Sequence, residues 1–165
     1  MTSGLGRVGM GERLGGYVYG TIVVLAVIVA GAKAYPREPG HVAILVVVTT
    51  LVFWLAHVYS HALAHSVSRD EHLSFAELRN IARHEAAIVE AAALPLAPLL
   101  LGALGILSAA AAGWTALGVG LAVLGTEGLV FARAERLRPL ATFGVVALNL
   151  GLGLVLVALK VIVTH

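Results

Sequence analysis

Residues 41–65 read HVAILVVVTTLVFWLAHVYSHALAH, uninterrupted by any Asp, Glu, Lys or Arg. As a helix this run rises roughly 37 Å at about 1.5 Å per residue, more than the roughly 30 Å hydrocarbon core of a bilayer. Backbone in lipid has no water to bond to. A run this long, without the alternation of a strand, is therefore read as a helix that satisfies its own amides. Further apolar runs of comparable length cover residues 17–35, 85–107, 112–131 and 140–163. The expectation is an all-α integral membrane bundle of about five transmembrane helices, forming a single transmembrane domain over residues 1–165.

Composition agrees with that solvent. The chain is 59% hydrophobic and only 12% charged, with mean hydropathy +0.96, which does not suit a soluble domain. It has no cysteine, so disulfides, thiolate metal sites and cysteine nucleophiles are excluded. The net charge of +2 is carried by arginines in short clusters between apolar runs, a pattern of membrane orientation and not of nucleic-acid binding. Arg7, Arg13, Arg69, Arg79, Arg83, Arg133, Arg136 and Arg138 collect on one side, against Lys33, Arg37 and Lys160 on the other. By the positive-inside rule the N-terminus is cytoplasmic, and five spans place His165 outside.

The breaks between runs differ in chemistry. Pro36-Arg37-Glu38-Pro39-Gly40 is a tight Pro/Gly turn, 66–74 is read as a charged loop holding Arg69, Asp70 and Glu71, and 108–113 is a weak break of small residues. Ser74-Phe75-Ala76-Glu77 has the spelling of a capping box, so a helix should begin at Phe75. From there to Leu107 it would be roughly 50 Å long at about 1.5 Å per residue, too long for one perpendicular span. An interfacial amphipathic segment before the third span, with Arg79 and Arg83 one turn apart as phosphate anchors, and a kink near Pro95 and Pro98 would resolve the excess. Arg7 and Arg13 before an apolar run, with Ala32-Lys33-Ala34 after it, resemble a signal peptide, but the run is longer than such a region and is taken as an uncleaved helix. Gly4-Leu5-Gly6-Arg7-Val8-Gly9 spells a dinucleotide fingerprint without the preceding strand that gives it meaning. Gly16/Gly20, Ala112/Ala116/Gly120 and Ala147/Gly151 allow close helix packing.

Ionisable groups within spans carry what chemistry there is. His57, His61 and His65 recur every four residues on one stripe, which Thr50 and Trp54 extend outward. Counted from the cytoplasmic charges at about 1.5 Å per residue, His61, Glu90, Glu127 and Tyr19 lie roughly 10 Å deep, and His57 and Asn149 roughly 16 Å. Three readings follow. Histidine titrates near neutrality and a desolvated carboxyl holds its proton into the same range, so His57, His61, Glu90 and Glu127, with Tyr19 and Asn149, form a candidate proton or cation pathway. Histidines four apart with a carboxylate from a neighbouring span are also a ligand set for a divalent transition metal, with His57, His61, Glu90 and Glu127 as candidates. In the third reading these groups bond across helices and only fix the bundle's register. No catalytic residue is expected. His65, His72, His84 and Glu85 are read as interface residues, Lys160 as a snorkelling cation, and Tyr17, Tyr35 and Trp114 as aromatic-belt residues. A chain this small would conduct more readily as a homo-oligomer.

Phe53-Trp54-Leu55-Ala56-His57-Val58-Tyr59-Ser60-His61-Ala62-Leu63 and Arg83-His84-Glu85 are the residues through which the chain resembles small, uncharacterised multi-pass membrane proteins of actinobacterial type. The resemblance covers most of the spans. It implies a bacterial inner membrane and brings no activity, substrate, cofactor or protein partner beyond the bilayer itself.

Overall fold

Proline sets several of the helix boundaries. The computed structural model describes residues 2–69 and 74–164, and side chains from residue 11 onward except 12, 68, 69, 163 and 164. Among the described residues there are seven helices and no strand: α1 (Thr2–Ala34), α2 (Pro39–Arg69), α3 (Phe75–His84), α4 (Ala87–Glu90), α5 (Ala93–Ala103), α6 (Ala109–Ala134) and α7 (Pro139–Thr164). α2 and α7 open on Pro39 and Pro139, where the missing amide is one that a first helical turn leaves unpaired anyway. In the turn before α2, the carbonyl of Glu38 accepts from the His41 and Val42 amides, and the Tyr35 ring stacks on His41.

Four helical stretches are long and apolar enough to cross a membrane: Arg13–Ala34, Pro39–Val67, Ala109–Ala134 and Pro139–Ile162. Phe75–Glu90 and Ala93–Ala103, bent by 50° against each other, pass the same test only together, which makes four to five spans. This pair runs along α2 from one end toward the other. Its first part packs on the C-terminal half of α2, through Trp54 and Ala82, while a Cβ on Gly102 would meet Pro39 and Ala112 at the opposite end. The chain is thus an all-α, multi-pass membrane bundle.

Local chemistry explains the ends. The Ser74 amide donates to Glu77 Oε2 (2.9 Å) and the Glu77 amide to Ser74 Oγ (3.3 Å), the reciprocal bonds of a capping box, so α3 starts at Phe75 as expected. The bend lies at Ala91–Ala92, one turn before Pro95, whose ring crowds the carbonyl four residues earlier and whose nitrogen offers it no proton. α5 ends in a Schellman motif: Gly105, at φ +75°, donates to the Gly102 carbonyl and Ile106 to that of Leu101. α6 ends the same way, with Arg136 held at φ 51° where glycine is usual, the Arg136 amide on Arg133 and the Leu137 amide on Ala132.

Two expected breaks are displaced. The charged loop at 66–74 begins later, because α2 runs on through Arg69; Asp70, Glu71 and His72 lie outside the described residues. The small-residue break at 108–113 is helix from Ala109. The turn precedes it at 104–108, made by Gly105 and closed by Ser108, whose Oγ accepts the Ala111 amide (3.2 Å).

α1 runs through the middle, packed against α2, α4, α6 and α7. Val24, Leu25, Ile28, Val46, Leu99, Leu117 and Leu124 form a fully buried apolar layer halfway along the bundle. Glycines let the backbones close: a Cβ at Gly20 would lie 2.7 Å from the Ile88 carbonyl oxygen.

Candidate functional site

A cavity of ≈ 810 Å³, open on one side, separates α1 from α2 at the arginine-rich end, with α3 and the turn into α4 as its third wall. At 3.6 residues per turn, Gly15, Gly16 and Tyr19 occupy one face of α1; a Cβ at Gly15 would enter open space, whereas one at Gly16 would meet Ala87 Cβ at 3.1 Å. α2 contributes His57, His61 and His65; the third wall contributes Glu77, Asn80, Ile81, His84, Glu85 and Ile88. The stripe of imidazoles predicted on α2 therefore lines a real space.

Its central contact joins an imidazole to a carboxylate. His61 Nδ1 lies 2.8 Å from Glu85 Oε1, with the carboxylate side chain only 14% exposed and the imidazole 59%. Glu85 follows the last turn of α3, where its amide still bonds to the Ile81 carbonyl, and that turn aims it at α2. His57 Nδ1 donates to its own helix at the Phe53 carbonyl (2.9 Å), since a carbonyl can only accept, and its ring tilts against Tyr19 at 4.9 Å. Trp54 Nε1 donates to the Ala82 carbonyl (3.0 Å) and fastens α3 to α2 above the cavity.

The other expected members of the polar layer lie elsewhere. Arg13, Tyr17 and Thr21 lie away from the cavity face of α1, and they take the two glutamates. Arg13 Nη2 donates to Glu90 Oε2 (2.9 Å), as does the Tyr17 hydroxyl; Glu90 is half-exposed and does not line the cavity. Thr21 Oγ1 lies 2.9 Å from the Tyr17 carbonyl and 3.2 Å from Glu127 Oε1. Glu127 is 7% exposed, and its Oε2 is buried with no hydrogen-bond partner among the described residues. Asn149 Nδ2 donates to the Leu124 carbonyl (3.3 Å) and ties α7 to α6. Thr50, expected to extend the histidine stripe, is buried and bonds to the Val46 and Val47 carbonyls of its own helix.

Glu85, His65 and His84, read from sequence as interface residues, also line the cavity, and Glu85 supplies the carboxylate that Glu90 or Glu127 was expected to bring. The local signal was Glu85 immediately after the basic last turn of α3, at a helix end facing α2. Among the described residues no three His, Asp or Glu side chains converge as a metal site. At the other end of the bundle Lys160 does not snorkel: it is 7% exposed, with Nζ 4.4 Å from the centre of the Trp114 ring. No family model, curated protein or solved structure matches this chain.

Proposed function

We propose that this protein works in a bacterial cell membrane, N-terminus in the cytoplasm, and that it takes a proton or other cation from the cytoplasmic side into the vestibule between α1, α2 and α3. The observation that carries the reading is the His61–Glu85 pair, a nearly enclosed carboxylate and a half-open imidazole on the wall of a cavity that also holds His57, His65 and His84. Ionisable groups at membrane depth are costly to keep and mark ion sites by default. An imidazole exchanges protons near neutrality, and the carboxylate beside it accepts a hydrogen bond from its Nδ1.

The route inward is shut by the apolar layer around Leu25, Ile28 and Leu117. Passage then requires a second conformation of α1 against α2, or a neighbouring copy of the chain. Glu127, with one unpartnered oxygen among the described residues, and Glu90 lie on the other side of α1, before the same apolar layer.

The test is proton flux into liposomes containing the purified protein, with metal analysis of the same preparation. Wild type should carry a pH-gradient-driven flux, and His61→Ala or Glu85→Gln should lower it about tenfold, the effect of losing one charge-assisted hydrogen bond. Stoichiometric metal that disappears in His57→Ala/His61→Ala would replace this reading with metal binding. No flux and no metal in the wild type would reduce the polar groups to a register-fixing network.

A further inference from the structure

The vestibule has more room than a bare ion uses. Its ≈ 810 Å³ lies within the roughly 300–1,000 Å³ of pockets that enclose organic ligands. A metal ion needs donors converging at about 2.0–2.2 Å, and among the described residues no such group exists. The walls have carboxylates of one sign: Glu77 and Glu85 line the cavity, and among the described residues no Lys or Arg does. Glu77 Oε2 is engaged by Ser74, which leaves Glu85 as the principal anion. The imidazoles add acceptors. His57 and His61 both use Nδ1, on the Phe53 carbonyl and on Glu85, so in the neutral rings Nε2 carries the free lone pair. Beside these polar groups stand Ile81 and the Tyr19 ring, surfaces that a hydrated ion would not use.

We infer that the vestibule binds a small organic cation, a protonated amine with an apolar body. The ammonium is held by Glu85 and imidazole Nε2, and the body lies against Ile81 and Tyr19, where a cation also meets the negative face of the phenol ring. The inference rests on the reading of the vestibule as a cation site and names its cation.

Gly15 supplies the discriminating variant. It lines the cavity, and a Cβ there meets nothing within 4 Å, so Gly15→Phe fills the space without pushing on backbone. The probe is benzylamine, with benzyl alcohol as its uncharged match, measured by equilibrium dialysis on protein in lipid nanodiscs and corrected for protein-free discs. Wild type should bind benzylamine saturably and benzyl alcohol only by partition. Glu85→Gln should weaken benzylamine about tenfold or more, the loss of a charge-assisted bond. Gly15→Phe should abolish benzylamine binding, and saturable binding that survives it overturns the inference. Saturable binding that benzyl alcohol shares, or that survives Glu85→Gln, overturns the inference. So does no saturable binding of benzylamine in a wild type whose proton flux depends on Glu85, an outcome that leaves the cation reading standing. Absence of both binding and flux removes both.

Discussion

Gly20→Ala tests the packing that holds the vestibule's third wall in place. A Cβ at residue 20 would sit 2.7 Å from the Ile88 carbonyl oxygen and 2.9 Å from both Ile88 Cα and Ala91 Cβ. Ordinary contact begins at 3.4 Å, so the methyl group is about 0.7 Å too close to a main-chain oxygen that no rotamer change can move. α1 and α4 must separate. Overpacking of this kind costs about 1–3 kcal/mol, while alanine in a helix interior returns roughly 0.5–1 kcal/mol over glycine. The net expectation is a loss of roughly 0–2.5 kcal/mol. Because Glu85 sits in the turn that leads into α4, the displacement also loosens its contact with His61 and should lower proton flux. The assay is thermal unfolding in detergent followed by circular dichroism, against Gly118→Ala, where an added Cβ meets nothing within 4 Å. The control gains helix preference without a clash. A Gly20→Ala protein that melts at or above the Gly118→Ala control would refute the close approach of α1 and α4.

The capping box makes Ser74→Ala cost about 0.5–2 kcal/mol, read as a lower unfolding midpoint and faster amide exchange in the first turn of α3. Arg136→Gly should raise the midpoint, because glycine removes the roughly 1–2 kcal/mol of a left-handed L-residue and gives back roughly 0.5–1 kcal/mol in unfolded-state entropy; an unchanged or lower midpoint contradicts the φ of 51°. Reporter fusions after Arg69 and at His165 should give opposite compartments, since α3 to α5 cross from one end of the bundle to the other; matching answers would make that pair re-entrant.

Depth along a helix was legible in the sequence, and direction around it was not. At about 1.5 Å per residue, Glu90 and Glu127 fall at one level with His61, yet they bond to Arg13, Tyr17 and Thr21, away from the cavity face of α1. The rotation of α4 and α6 about their axes decides that, and it follows from glycine contacts such as Gly20 on Ile88 and Gly120 on Leu25, which no single apolar pattern encodes. Ser74 and Glu77 were readable because both partners lie within one turn. The imidazole stripe was readable because it lies on one helix. Glu85 was missed because a residue at the mouth of a span looks like an interface residue until the bend at Ala91–Ala92 turns α3 over α2. The turn before α6 was misplaced for a related reason: Gly105 among so many small residues carries no visible mark, although its positive φ is what stops α5.

A water-filled vestibule would carry the electrical potential of the arginine-rich side inward as far as Tyr19 and His57. The membrane voltage then falls mainly across the dry layer of Leu25, Ile28, Leu117 and Leu124, instead of across the full thickness of the protein. On the proposed reading, a cation resting on Glu85 has crossed almost none of that field. Its binding is indifferent to membrane potential, and the step past Leu25 bears nearly all the electrical work, about 2.3 kcal/mol per charge for each 100 mV.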